Sequence, residues 1–195
     1  MKEIMNTSVT VCGTGAIGSN LAMNLVRQGF FSLILIDHDR VDLRNLSTQI
    51  WSEPEIGLLK TECLGNRLFD ELGVEVEIRS KKLTVKNAKK LLQGTSIIVD
   101  SFDNAESRQL VRDFSLDASL PCLHVGLNAD YAEVIWNEDY RVPSSNGEDV
   151  CDYPLARNLI LMAVAVASEN LIRYIVKRER KNYTITLGDF AVQEF

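Results

Sequence analysis

The sequence has few of the residues that build metal centres and disulfide frameworks. Four cysteines and two histidines are spread over 195 residues, and no two cysteines are spaced as CxxC, so nothing in the sequence indicates a zinc site. Cys12 and Cys122 lie in apolar, strand-like stretches, where we expect small buried side chains. Sparse, scattered cysteines are typical of a reducing compartment, and we expect a cytoplasmic protein.

Positive charge and long apolar runs are also scarce. The chain has 21 Lys and Arg against 27 Asp and Glu, a formal net charge of -6, so it lacks the concentrated basic face that nucleic-acid binding requires. Residues 1–7 lack the regions of a signal peptide. The longest apolar run, 159–167, is shorter than the roughly 20 residues that span a bilayer. We therefore expect neither a nucleic-acid nor a membrane partner.

Strand-like and helix-like stretches alternate along the chain. An apolar strand at 8–12 precedes a helix at 16–28, whose apolar Ile17, Leu21 and Leu25 recur at helical spacing, and a fully apolar strand follows at 32–37. Further helices are expected at 56–72, 87–93, 106–119 and 155–177, and strands at 74–79, 96–100, 122–126, 131–136 and 183–187. This alternation predicts an α/β domain over 1–195, with a Rossmann-like, doubly wound, mostly parallel sheet and helices on both faces.

A GxGxxG turn joins the first strand to the first helix at Gly13, Gly15 and Gly18. The first glycine permits a tight turn, the second lets the backbone approach phosphates, and the third lets the helix pack on the strand. The N–H groups at the helix start, beginning near Ala16, favour an anion. Asp37 at the next strand end would reach ribose hydroxyls or cap the following turn. The pattern predicts a nucleotide site but does not separate NAD from ATP.

Three further blocks follow in order. Residues 37–49, DHDRVDLRNLSTQ, are similar to DxDxVxxxNLxRQ, residues 57–60, GLLK, to GxxK, and residues 100–108, DSFDNAESR, to DxxDNxxxR. With the glycine turn, these blocks resemble the ThiF/MoeB/HesA superfamily, whose fold also forms the adenylation half of eukaryotic ubiquitin-activating enzymes. The resemblance is strong over 8–108 and looser through the last helix.

The resemblance implies an enzyme that uses ATP and Mg²⁺ to adenylylate the C-terminal carboxylate of a partner protein. The partner would be a ubiquitin-like or sulfur-carrier protein ending in Gly, in a thiamine- or molybdopterin-type pathway or a related modifier system, and the enzyme would be a homodimer. The apolar run at 159–167 also favours a dimer. The implied nucleotide-binding residues are Gly13, Gly15, Ala16, Gly18, Asp37, Asp39, Asn45 and Lys60.

The implied catalytic residues are Lys60, Asp103 and Cys151. Lys60 would bring positive charge to the phosphates, and Asp103 would hold Mg²⁺. A cysteine in the loop before the last helix forms a thioester or acyl disulfide with the carrier in some relatives.

Each of these residues also has a structural interpretation. Lys60 could be a solvated helix lysine, Asp103 an N-cap, and Asn45 the centre of an Asx-turn. Cys151 could be an inert cysteine, because its acidic neighbours disfavour a thiolate. His124, in an apolar strand, is expected in the core or facing a loop.

One position departs from the family pattern. The arginine of the NLxRQ block, which helps to bind the ATP phosphates, is Thr48 here, and Arg40 or Arg44 could compensate. Thr48 favours a second hypothesis, a non-catalytic member that binds nucleotide or a partner. A third hypothesis, an NAD-dependent oxidoreductase, lacks hydride-transfer residues that the sequence would have to supply.

Overall fold

Eight strands form one sheet in the computed structural model, which describes residues 2–143 and 156–195. Their order across the sheet is β3-β2-β1-β4-β5-β6-β7-β8. The strands are β1 (Val9–Cys12), β2 (Leu33–Ile36), β3 (Glu77–Arg79), β4 (Ile97–Asp100), β5 (Cys122–Asn128), β6 (Tyr131–Trp136), β7 (Tyr183–Thr186) and β8 (Ala191–Glu194).

The first five strands are parallel and the last three are antiparallel. β1 pairs with β2 on one side and with β4 on the other, so the strand order reverses at β1. The carboxyl ends of β1, β2 and β4 therefore meet at one edge, where ligands bind in doubly wound sheets. The predicted fold class is confirmed.

Helices cover both faces of the sheet. They are α1 (Lys2–Asn6), α2 (Ala16–Arg27), α3 (Lys60–Leu72), α4 (Ala88–Leu91), α5 (Ala105–Asp117) and α6 (Arg157–Lys177). One core cluster joins Val9 and Val11 of β1 to apolar side chains of α2, α3 and α6. The other joins Cys12 and Cys122 to α4 and α5. Both cysteines are fully buried, which confirms their expected place in the core, and this burial raises the pKa of both thiols well above the ordinary value.

The last long helix, α6, is the apolar element of the core. By length and composition it could cross a membrane, with a mean hydropathy of 1.7 over its most apolar window, but half of that window is buried inside the domain. It packs against α2 and the antiparallel strands. Leu159, Ala163 and Leu171 face this core, whereas Leu161 is exposed.

Several predicted boundaries were wrong. The helix expected at 56–72 begins only at Lys60, because Gly57 has a φ of 88° and the backbone of Val41 pairs with Gly57 and Leu58. The strand expected at 74–79 is shorter and spans only Glu77–Arg79, at the edge of the sheet. Helix α1 and strand β8, a largely exposed edge strand, were not predicted.

Candidate functional site

The glycine turn lies at the carboxyl end of β1 and closes on the start of α2. Gly13 has a φ of 87°, a region that L side chains rarely adopt. A Cβ at Gly18 would lie 1.8 Å from the Gly13 oxygen, whereas a Cβ at Gly15 would meet nothing within 4 Å. Gly15 is the N-cap of α2 and makes no side-chain cap bond. The turn thus leaves open space at an uncapped helix N-terminus, as phosphate binding requires.

Asp37 fixes the shape of this turn. Its Oδ2 accepts hydrogen bonds from the Thr14 N–H at 2.7 Å and the Thr14 hydroxyl at 3.0 Å. Its Oδ1 accepts from the N–H groups of His38 at 2.7 Å and Asp39 at 2.9 Å. The carboxylate is buried, and the structure gives it the turn-capping role. Its predicted ribose contact stays a prediction. Sequence reasoning missed Thr14, which lies at a variable position of the glycine pattern.

Lys60 lies beside the strand end that carries Asp39. The backbone bridge between Arg40 and Leu59 brings the start of α3 to this edge, and the Lys60 N–H donates to the Asp39 carbonyl at 2.9 Å. The Lys60 Nζ lies 3.8 Å from Asp39 Oδ2. Lys60 is 7% exposed, so the interpretation as a solvated helix lysine was wrong.

Asp39 connects the charged groups of the site. Partial burial and the negative charge of Asp37 raise the pKa of its carboxyl above the ordinary value. The ammonium of Lys60 and the His38 ring act in the opposite direction, and the charge of Asp103 raises the pKa further. The charges of Lys60 and Asp103 therefore both reach the carboxyl group of Asp39 at the edge formed by β1, β2 and β4.

Asp103 does not cap the helix that follows it. The N-cap of α5 is Asn104, whose side chain accepts a hydrogen bond from the Ser107 N–H at 2.8 Å. The predicted structural alternative for Asp103 was therefore wrong by one residue. Asp103 is exposed just beyond β4, where its carboxylate could accept a cation.

A second group near the site could also hold a cation. Asp37, His38 and Asp39 each offer one ligand atom, and these atoms lie within 4.8 Å of one another. The oxygens of Asp37 already accept four hydrogen bonds from the protein, so Asp103 remains the better candidate for Mg²⁺.

Asn45 is buried in the short 3₁₀ turn Leu43–Ser47. Its Oδ1 accepts from the Asp42 N–H at 3.0 Å, and the Asp42 side chain accepts in return from the turn. This reciprocal capping matches the Asx-type role. The predicted contact of Asn45 with nucleotide remains a prediction. Cys151 lies outside the described residues.

Thr48, the position that departs from the family pattern, is fully buried. The two arginines that could compensate each have a contact with another residue. Arg40 donates to the Gly57 carbonyl at 2.7 Å, and the Arg44 Nε lies 3.6 Å from Asp42 Oδ1. A third arginine, Arg157 of α6, instead donates to the Thr48 carbonyl at 2.8 Å. No motif in the sequence indicated Arg157.

A network of buried, hydrogen-bonded polar side chains adjoins the site. The His124 ring, at 0% exposure, lies between Asp100 Oδ2 and Asn137 Oδ1, each 2.8 Å from a ring nitrogen, and Tyr140 stacks on it at 3.7 Å. Arg108 donates to the Tyr140 hydroxyl at 2.9 Å. Burial raises the pKa of Tyr140 to about 12. Nη1 of Arg108, in the DxxDNxxxR block, also lies 3.8 Å from Oδ2 of Asp100 at the end of β4. His124 is a core residue as expected.

These features define a doubly wound α/β domain with a phosphate-binding type of glycine turn and a charged edge at the strand reversal. The model of the ThiF family matches residues 1–184, and the chain belongs to that family. The predicted family membership is confirmed.

Several curated relatives of this chain are named adenylyltransferases. The sulfur carrier protein ThiS adenylyltransferase of Bacillus subtilis is 28% identical over 127 residues, which cover 63% of this chain and 38% of that protein. The adenylyltransferase and sulfurtransferase UBA4 of Lodderomyces elongisporus is 26% identical over 209 residues, covering 97% of this chain and 45% of that protein. The chain thus spans less than half of the length of these two relatives.

Solved structures with the same fold include E. coli MccB. The structure of MccB with ATP matches with a TM-score of 0.81 and 20% identity, covering 100% of this chain and 65% of that chain. The structure with MccA matches with a TM-score of 0.82 and 21% identity, covering 100% and 64%. At this level of identity the likeness confirms the fold.

Proposed function

We propose that this protein uses ATP to adenylylate the C-terminal carboxylate of a small ubiquitin-like or sulfur-carrier protein that ends in glycine. Membership of the ThiF family and the names of its curated relatives support this function. A thiamine- or molybdopterin-type sulfur-carrier pathway, or a related modifier system, would supply the carrier.

The observation that carries the proposal is the arrangement around Lys60. A buried ammonium lies 3.8 Å from Asp39 at the edge where the glycine turn also ends. A buried positive charge is costly unless an anion compensates it, and the half-exposed Asp39 compensates it in part. The negative charge of a triphosphate would add further compensation, whereas NAD carries only a diphosphate bridge.

In the proposed reaction, an oxygen of the carrier carboxylate attacks the α-phosphorus of ATP. A bond forms between that oxygen and the phosphorus, the bond from the α-phosphorus to the α,β-bridging oxygen breaks, and pyrophosphate leaves with the electron pair. Because both reactants are anions, catalysis depends on positive charge held at the phosphates. Lys60 would supply it, the glycine turn would bind phosphate oxygens, and Asp39 would accept the ribose hydroxyls beside the turn that Asp37 holds.

Mg²⁺ fits the same edge. The carboxylate of Asp103 is exposed, is not needed as a helix cap, and is the kind of oxygen ligand that Mg²⁺ prefers. When bound, the ion would neutralise charge on the triphosphate. Cys151 stays a candidate for a covalent bond to the carrier.

The test is direct detection of the product. The protein is incubated with ATP, Mg²⁺ and a ThiS-type carrier ending in glycine, and the carrier is analysed by mass spectrometry for an added AMP. NAD and ATP are compared in parallel by thermal unfolding, because a ligand that binds only the native state raises the melting temperature. Stabilisation by NAD and not by ATP would favour an oxidoreductase. Stabilisation by ATP without any carrier–AMP would favour a non-catalytic nucleotide-binding member.

We also propose that the protein is a homodimer. The exposed side of α6 carries Leu161 and Val176, at 45% and 50% exposure, and apolar groups on an otherwise buried helix are often covered by a partner copy. Sedimentation velocity should give the mass of a dimer. A monomeric mass at high protein concentration would rule this assembly out.

A further inference from the structure

The carbonyl oxygen of Thr48 accepts a hydrogen bond from a positively charged side chain. It accepts a hydrogen bond from Nη1 of Arg157 at 2.8 Å and another from Nδ2 of Asn20 at 3.1 Å. The Thr48 side chain is fully buried, and its hydroxyl has no hydrogen-bond partner within the described part of the chain. A guanidinium from the first turn of α6 thus contacts the backbone of the residue at which the family pattern has an arginine.

Asn20 links this guanidinium to the start of α2. Nη1 of Arg157 also donates to Asn20 Oδ1 at 2.9 Å, and Asn20 Nδ2 donates to the Ala16 carbonyl at 2.6 Å. Ala16 directly follows Gly15, the N-cap of α2. Arg157 is therefore held one side chain away from the helix turn that faces the proposed phosphates.

The rest of the guanidinium is available for a ligand. Arginine has five N–H donors in a planar fork that matches phosphate oxygens, and the hydrogen bonds of Arg157 to Asn20 and Thr48 use Nη1 alone. Among residues 2–143 and 156–195, neither Nε nor Nη2 has a hydrogen-bond or ion-pair partner. The side chain is only partly buried, so a ligand could reach these donors.

We propose that Arg157 supplies the phosphate-binding charge that Thr48 lacks. Its Nη1 is anchored on Thr48 and Asn20, and its remaining donors bind the triphosphate of ATP beside the first turn of α2. The inference rests on the proposed function, because it assigns this residue to the same nucleotide site. It also explains why threonine at position 48 is compatible with ATP binding: the charge comes from another helix.

The test compares nucleotides that differ only in phosphate number. Binding of ATP, ADP and AMP, each with Mg²⁺, is measured by calorimetry for the parent protein, Arg157→Gln and Arg157→Lys. A lost charge-assisted hydrogen bond should weaken ATP binding about tenfold or more in Arg157→Gln, with AMP affinity nearly unchanged. Arg157→Lys, which keeps the charge without the fork, should lie between the two. The ratio of ATP affinity to AMP affinity is calculated separately for each variant. A smaller folded fraction lowers both apparent affinities equally and therefore does not change the ratio.

Arg173→Gln is the matched control. Arg173 also belongs to α6 but pairs with Glu169 at 2.8 Å on the surface, and its loss should leave the ratio unchanged. An ATP-to-AMP ratio that is the same in Arg157→Gln as in the parent would overturn the inference, because Arg157 would then only fasten α6 to α2. A parent protein that shows no preference for ATP over AMP would overturn it as well.

Failure of the proposed function gives a different result. If no carrier is adenylylated but the ATP preference still depends on Arg157, the adenylylation is wrong and the role of Arg157 stands. If carrier–AMP forms and the ratio does not respond to Arg157, the reaction stands and the inference is wrong.

Discussion

The ammonium of Lys60 and the carboxylate of Asp39 lie 3.8 Å apart at the reversal point of the sheet. The two side chains differ in solvent exposure, because that of Lys60 is 8% exposed and that of Asp39 is 52% exposed. The pair therefore combines a buried cation with a half-exposed anion. In the proposed function, the ribose of the nucleotide would contact the carboxylate and its phosphates would contact the ammonium.

Asp39→Asn should make the empty protein more stable at neutral pH. The pKa of Asp39 is raised in the folded state, chiefly by partial burial and by Asp37, despite the attraction of Lys60. Between the unfolded pKa and this higher value the folded state binds more protons, so stability falls as pH rises through that window. An asparagine does not ionise, so the Asn variant does not lose stability in this window. The gain should be small, because the carboxylate is half-exposed and screened.

Urea unfolding at neutral pH and near the ordinary Asp pKa of about 3.9 tests this expectation. Asp70→Asn, on the exposed side of α3, removes one charge without touching the site and serves as the control. An Asp39→Asn protein that is less stable at neutral pH would mean that the pair with Lys60 dominates. The same variant should bind ATP more weakly.

Gly15→Ala and Gly18→Ala should separate binding from folding. The methyl group of Gly15→Ala enters open space, so the variant should lose only about 1 kcal/mol of stability or less, because alanine is a poorer N-cap than glycine. ATP binding should fall about tenfold or more because the methyl group occupies the phosphate position. The methyl group of Gly18→Ala would lie 1.8 Å from the Gly13 oxygen and should cost about 1–3 kcal/mol of stability or more. Thermal unfolding and calorimetry measure both. If Gly15→Ala binds ATP with unchanged affinity, the phosphates do not bind at this turn.

Asp103→Ala and Asn104→Ala should have opposite effects. Asn104 caps α5, so its loss should cost about 1 kcal/mol of stability with little effect on adenylate formation. Asp103→Ala should leave stability nearly unchanged and slow adenylate formation about a thousandfold, since several kcal/mol of charge stabilisation are lost. Urea unfolding and carrier–AMP formation are measured on both proteins. Normal adenylate formation by Asp103→Ala would exclude it as the Mg²⁺ ligand.

The glycine turn and the parallel half of the sheet could be predicted from local pattern. Fully apolar strands and the spacing of Gly13, Gly15 and Gly18 depend on contacts between near neighbours in the chain. The burial of Lys60 could not be predicted, because it depends on the backbone pairing of Arg40 with Leu59. Helical periodicity predicted a helix that includes Gly57. The positive φ of Gly57 is incompatible with that helix, which begins only at Lys60.

Arg157 was missed for a different reason. It contacts Thr48 and Asn20 across 109 and 137 residues of chain, and no motif spans such a separation. Thr48 marks in the sequence the position where the family arginine is missing, but it does not indicate which residue contacts that position. Strand β8 was missed because its side chains are largely exposed and leave no clear apolar alternation.

Adenylylation of a carrier is tested most directly by ATP–pyrophosphate exchange with matched carriers. A ThiS-type carrier with a free C-terminal glycine carboxylate is compared with the same carrier amidated at that carboxylate, using labelled pyrophosphate, ATP and Mg²⁺. Label should enter ATP only with the free carboxylate, because only that group attacks the α-phosphorus reversibly. Equal exchange with both carriers, or none with a panel of free carriers under conditions where ATP binds, would contradict the proposed reaction.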